Sequence, residues 1–395
     1  MKKLRERVNP GLLLVSVGVL ALIVANIPVV SDYYFGIAHK EVPFGAFGLP
    51  YLPSLTFEEF VRDFILAIFF FAVGLELKQE FTVGSLRNPK RAALPIIAAV
   101  GGMLFPSLIF ISTVLISSNP ALVSGFAIPT ATDIAFSVGI LALVGKGINP
   151  QVRVFLLTLA VADDIMGILV IAIGYSSNVN FWYLLFFFII MALFFLVVRI
   201  PSKAGSLVGG IILGLVGWYF MFGSGVHPAI CGVCLGMTMS SQVSGKRTRS
   251  RAQFALEVLE PWSDLIILPL FAFFQLGVKF GALELTPLYL SLIIATTIGL
   301  LLGKPIGIMI FTIVITKITA IDLPKGLSYI NYLGVACLAG TGFTVSFLVC
   351  NLAYADASLV MASKLGVLIG SFAAAFLAAI VMQLTKKFNL PAPSS

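Results

Sequence analysis

Between residues 11 and 384 the chain repeats one pattern: about twenty predominantly apolar residues, then a short polar or Pro/Gly-rich break. That is the length an α-helix needs to cross the hydrocarbon core of a bilayer at 1.5 Å per residue. Such windows fall near 11–30, 59–77, 92–116, 122–145, 151–175, 181–199, 205–223, 226–240, 259–277, 287–315, 329–354 and 358–384. They predict an all-α polytopic membrane protein of twelve transmembrane helices, a single integral membrane domain over 1–395. In that reading 31–58 connects the first two spans on the outer side, 59–384 carries spans two to twelve, and 385–395 is a tail. Charged residues make up only 11% of the 395, against about a quarter in a soluble domain, which excludes a soluble enzyme and a disordered chain. The first span is read as retained rather than cleaved, because its apolar run exceeds a signal-peptide core and no small-x-small site follows it.

Twelve spans put both termini on one side, and basic residues in short loops decide which. Of the 25 Lys and Arg, 20 fall on the side of the termini, 4 (Lys40, Arg62, Lys279 and Lys364) on the other, and Lys304 lies inside a span. Both termini are therefore expected in the cytoplasm. The formal charge of +8 follows from this bias, so nucleic acid is not a partner; the bilayer is. Gly210 with Gly214, Gly232 with Gly236, Gly299 with Gly303 and Gly366 with Gly370 have the small-xxx-small spacing of close helix contacts.

An ionisable group inside a span costs several kcal/mol and reads as functional by default. Asp133, Asp163, Asp164 and Lys304 lie well inside, while Asp63 and Glu76 bracket the second span. Consecutive helical residues point about 100° apart, so Asp163 and Asp164 cannot share one narrow groove. Either one coordinates a cation while its neighbour pairs elsewhere, or both rim one hydrated cavity. Burial and mutual repulsion couple their titration, so proton and cation compete for one site. The plainer alternative is a structural ion pair with Lys304. Lys304 itself can be a permanent counter-charge, a proton carrier, or both.

Asp133 lies in G-F-A-I-P-T-A-T-D-I-A-F (125–136), where Pro129 breaks the helical ladder in mid-span. A similar break is expected at A-G-T-G-F-T-V-S (339–346). Irregular backbone at that depth survives only where protein or a hydrated cavity covers it. Asp133 is placed to neutralise the positive half-helix N-termini and Lys304 the C-termini, an electrostatic role rather than direct ligation for Asp133.

Taken together and in order, F-F-F-A-V-G-L-E-L-K (69–78), A-T-D-I-A-F (131–136), D-D (163–164), S-G-V-H (224–227), P-W (261–262), L-P-L-F-A-F (268–273), G-K-P-I-G-I (303–308) and G-F-T-V-S (342–346) resemble the bacterial NhaA-type Na+/H+ antiporters over essentially the whole chain. The resemblance implies an inverted repeat in which the fourth and fifth spans meet the tenth and eleventh at two discontinuous helices, about 122–145 and 329–354. Interrupted helices in two halves of a transporter place an ion site at the midplane, a rule for which the NhaA antiporters are themselves an example. It further implies Asp164 as the principal cation and proton carboxylate, with Asp163 beside it, and Asp133, Thr132 and Lys304 as support at the broken helices. Glu76, Glu80, His227 and Glu257 fall at positions tied to pH response. The implied activity is electrogenic exchange of cytoplasmic Na+ or Li+ for protons in the bacterial inner membrane, serving pH and sodium homeostasis, with no cofactor. A homodimer is implied through a hairpin between the first two spans, although Pro43, Pro50 and Pro53 weaken a strand there.

Two departures touch the pH-response region. Lys78-Gln79-Glu80 puts Gln79 where the family commonly has a basic residue, and L-E-V-L-E-P-W is one residue short, with Glu260 in place of a histidine. Both point to a shifted or flattened pH profile. His227, Cys231 and Cys234 superficially suggest a metal site, but three soft ligands on one helix fit small-residue packing better. A sodium-coupled symporter of an organic anion is the alternative function, though no second polar cluster for such a substrate is evident. An intramembrane aspartyl protease needs two facing acids, which adjacent Asp163 and Asp164 do not provide.

Overall fold

The computed structural model describes residues 8–42, 54–145, 148–176, 178–200, 202–242, 249–279, 281, 286–319 and 328–388. In chain order its helices are α1 (Pro10–Asn26), α2 (Val30–Ala38), α3 (Leu66–Thr82), α4 (Pro89–Ile116), α5 (Ile134–Val144), α6 (Pro150–Gly174), α7 (Phe181–Val197) and α8 (Lys203–Gly223). There follow α9 (Ala229–Thr238), α10 (Arg251–Trp262), α11 (Leu268–Gln275), α12 (Pro287–Ile298), α13 (Lys304–Ile318), α14 (Tyr329–Ala339), α15 (Phe343–Ala353) and α16 (Ala357–Phe388). Among the described residues five helices are long and apolar enough to cross a membrane, or up to eight if each bent pair is one span. The fold is that of a helical membrane protein.

Several joints interrupt the helices. A 3-10 run, Pro120–Thr130, precedes α5 and bends from it by 52°; α14 and α15 meet at 48°. Wide π-type turns at Val61–Ile65, Ser263–Ile267 and Gly299–Gly303 lead into α3, α11 and α13. Prolines 269 and 305 follow the last two turns and lack the N–H that would close a regular one.

The described part of the connection after the first span holds a short helix and the strand pair of a hairpin. It opens with α2, bent 112° from α1, and continues into an antiparallel pair, β1 (Glu41–Val42) with β2 (Leu55–Thr56). The strand that prolines disfavour is thus present but only two residues long on each side; Pro43, Pro50 and Pro53 lie outside the described residues, as does most of the 385–395 tail.

The chain divides into two compact units. The first comprises 1–8, 17–87 and 168–277. Within it α3 and α9 pack backbone to backbone: a Cβ on Gly74 would come 2.9 Å from Val233 Cα, and one on Gly236 2.9 Å from Gly74 Cα. The Tyr34 hydroxyl donates to the Phe273 carbonyl at 2.6 Å and ties α2 to the end of α11. The second unit comprises 9–16, 88–167 and 278–395. Here α4 runs along α13, and α16 packs against α12, α14 and α15. Phe155, Leu156, Tyr332, Val335 and Ala336 lie in its buried core.

Of the four glycine pairs, three sit at close contacts. The exception is Gly210 with Gly214 in α8: a Cβ on Gly214 would meet no atom within 4 Å. Most of α8 is unburied, with Leu207, Val208, Ile211 and Ile212 outward, so its glycines lie in a face suited to lipid.

Candidate ion site

The site lies in the second unit, where the two bent segments cross. At residues 131–133 the chain is extended between the 3-10 run and α5, and at 340–342 it breaks between α14 and α15. Each break strands buried helix-end backbone groups, and each is served by the other segment. The Asp133 N–H donates to the Thr341 carbonyl at 2.7 Å. The Ser346 hydroxyl donates to the Ile128 carbonyl at 2.7 Å, and Ser137 to that of Leu338 at 3.0 Å.

Asp133 serves both N-termini. Its Oδ1 accepts from the Phe136 N–H at 2.9 Å, capping α5, and its Oδ2 accepts from the Thr344 N–H at 3.2 Å and the Thr344 hydroxyl at 2.8 Å, at the start of α15. One buried carboxylate therefore faces the positive ends of two half-helices.

Asp163 and Lys304 form the second element. The Lys304 ammonium, fully buried, donates to both Asp163 Oδ2 and Thr132 Oγ1. Thr132 Oγ1 lies 2.6 Å from Asp163 Oδ2 and 2.9 Å from the Ala339 carbonyl at the end of α14. Its single proton can satisfy only one of these acceptors at a time. The other carboxylate oxygen, Asp163 Oδ1, is buried and accepts no hydrogen bond. Asp164 is half-buried, turned about 100° from Asp163 on α6, and its charge acts on Lys304. The ion pair with Lys304 that the sequence allowed is therefore present at Asp163, and Asp164 points away from it on the same helix.

Chemically, this is a carboxylate with one unclaimed oxygen, a releasable ammonium on the other, and a second carboxylate alongside. Such a set can exchange a proton or ammonium for a small hard cation, which favours oxygen ligands. Thr344, Ser137, Thr341 and Ser346 were not singled out from the sequence. Thr344 and Ser346 lie in the quoted G-F-T-V-S stretch, but their partners are 211 and 218 positions away, beyond any local signal.

A family model described as Na+/H+ antiporter 1 matches residues 2–382. The chain belongs to that family. It is 37% identical to the protein named Na(+)/H(+) antiporter NhaA of Bifidobacterium adolescentis, over 96% of this chain and 86% of that one. It is 38% identical to the NhaA 2 antiporter of Erythrobacter litoralis, over 97% and 93% respectively. To the NhaA of Thermobifida fusca it is 40% identical, over 96% and 92%. The symport reading finds no support among these antiporters.

The four pH-response candidates lie in the first unit, and they do not form one group. Glu76 and Glu80 are on α3 and Glu257 on α10, two helices that pack together. Glu257 pairs with Arg249. Gln79 Nε2 is buried without a hydrogen-bond partner. His227 sits elsewhere, with its Nε2 3.6 Å from Asp63 Oδ1. Thirteen residues separate Asp63 from Glu76, about 20 Å along a helix. His227 Nδ1 accepts the Ala229 N–H at 3.2 Å, so a neutral ring carries its proton on Nε2, toward Asp63.

Proposed function

We propose that this chain is an electrogenic antiporter that expels cytoplasmic Na+, and Li+ in its place, in exchange for protons entering from outside, by alternating access to Asp163 and Asp164. The observation that carries this reading is the Asp163 carboxylate: one oxygen on Lys304 and Thr132, the other buried and unclaimed, at a crossing of broken helices. In the cation-free state Lys304 compensates Asp163. Sodium arriving through the half-exposed side of Asp164 takes carboxylate oxygens and displaces the ammonium or protons. Asp133 holds the two half-helix N-termini while this happens, and Thr132 swaps its proton between Asp163 and Ala339.

With two protons carried by the two aspartates, or by one of them and Lys304, each sodium expelled brings one net positive charge inward. A negative-inside potential then contributes about 2.3 kcal/mol per charge per 100 mV. The same reading takes the chain as twelve spans with an inverted repeat, both termini cytoplasmic, in a bacterial inner membrane, serving sodium and pH homeostasis, and as a homodimer. Glu76, Glu80, Glu257 and His227 are the groups through which pH would set its activity. The deciding experiment is collapse of a preset pH gradient in proteoliposomes on adding Na+ or Li+. Proton movement that follows either ion supports antiport; movement only with an organic anion present overturns it.

A further inference from the structure

Lys304 is delivered to Asp163 by an irregular piece of backbone that the exchange chemistry alone does not explain. The wide turn Gly299–Gly303 ends where the Lys304 N–H donates to the Gly299 carbonyl, five residues back. In an α-helix that N–H would serve Leu300. The next residue, Pro305, has no N–H to offer. The Leu300 carbonyl therefore has neither the α-helical nor the wide-turn donor from its own helix, and Leu300 is fully buried.

That carbonyl points at the second break. A Cβ on Gly340 would lie 2.6 Å from the Leu300 oxygen, a distance no side chain tolerates. Gly299 abuts the Pro129 ring just before the first break, at 2.7 Å from a built Cβ, and Gly303 abuts the Pro106 backbone of α4, also at 2.7 Å. The turn is thus wedged between both broken segments and α4, with Lys304 immediately after it.

We propose that the wide turn Gly299–Gly303, kept open by Pro305 and accommodated by Gly340, is the positioning element that sets the Lys304 ammonium on Asp163, so that Pro305 and Gly340 determine how strongly lysine competes with sodium. This rests on the antiport reading only for its kinetic consequence; the geometric claim stands apart from it. Pro305 and Gly340 are positioning residues, acting through Lys304.

Pro305→Ala and Pro305→Gly restore an N–H without adding bulk. The new donor can reach the Leu301 carbonyl and close the turn as α-helix, which rotates Lys304 by about 100° relative to the preceding segment. With the ammonium withdrawn, sodium meets less competition. The expected result in proteoliposomes at saturating alkaline pH is a KM for Na+ lowered at least about threefold, equivalent to half a pH unit of competing charge, with the maximal rate within about twofold. Leu302→Ala, in the same turn but facing outward, is the control that leaves KM unchanged. Gly340→Ala should lower KM too, and combining it with Pro305→Ala should give less than the product of the two effects, since both act through the same wide turn.

A KM that stays at the wild-type value in both proline variants, or a loss of maximal rate alone, overturns the proposal. A cryo-electron microscopy structure of Pro305→Ala gives a readout independent of transport. Lys304 still bonded to Asp163 overturns the proposal; Lys304 moved away supports it. If the wild-type protein moves no protons with sodium, the antiport reading fails and that structure alone decides the positioning claim.

Discussion

Two buried aspartates, one in each compact unit, have a cation at bonding distance, and they are held in opposite ways. Asp63 is gripped by its sequence neighbour: Arg62 Nε donates to Oδ1 at 2.8 Å and Nη2 to Oδ2 at 3.0 Å. The Trp218 indole donates to the Asp63 carbonyl at 2.8 Å and fixes the backbone as well. Both carboxylate oxygens are occupied by a planar fork that stays charged at any physiological pH. Asp163 meets a lysine instead, a point charge on a flexible stem, through one oxygen only, and its other oxygen has no hydrogen bond. The first arrangement leaves no room for a visitor. The second keeps one ligand atom free and the other on a group that can leave, so burial of a carboxylate does not by itself mark a transport site.

The largest effect is expected at the double acid. Asp164→Asn should reduce sodium-driven proton movement in proteoliposomes to background at every pH, and retained exchange would reassign the carrier to Asp163. Asp133→Asn should be milder. The amide keeps one acceptor for a helix N-terminus but turns an NH2 toward donors on the other, costing about 1–3 kcal/mol. Slowed exchange in a protein that still folds is the expected outcome. Complete loss with normal stability would mean that Asp133 ligates the cation directly.

The helical membrane character was legible because lipid imposes a length and a polarity that local sequence must meet, although among the described residues five to eight helices, rather than twelve, pass that test; the charged residues stood out against that background. The first break was readable from Pro129, yet the extended residues are 131–133, because Pro129 is accommodated within the 3-10 run and the chain straightens only where Thr132 and Asp133 find partners across the crossing. Asp163 and Lys304 were visible as charges in apolar spans, and their pairing, which joins positions 141 apart, was one of the alternatives the sequence left open. Asp63 with His227 is similar: each residue stands out in the sequence, and nothing local connects the turn before α3 to the residues before α9. The wide turn before Lys304 had a local cue in Pro305, but its meaning depends on Gly340, which only the packed structure brings to it.

The smaller effects test the other half of the comparison. Asp63→Asn leaves the guanidinium without its carboxylate. Because the Arg62 side chain is 21% exposed, water can partly compensate, and the loss should be about 2 kcal/mol rather than the 3–5 of a fully buried broken pair. A lower unfolding temperature in detergent, with sodium exchange retained, fits a structural clamp. Loss of exchange at unchanged stability would erase the distinction between the two aspartates. Arg62→Lys should cost least, about 1 kcal/mol. The single ammonium can satisfy one oxygen of Asp63 but not both, so the variant rebuilds in the first unit the one-sided pairing that Asp163 has in the second. If Asp63 in that variant began to bind Na+, seen as sodium-dependent stabilisation absent from the wild-type clamp when Asp163 and Asp164 are both replaced by Asn, one-sided pairing would be sufficient for cation binding. The expected result is no such stabilisation, and one-sided pairing of a buried carboxylate is then not sufficient for cation binding.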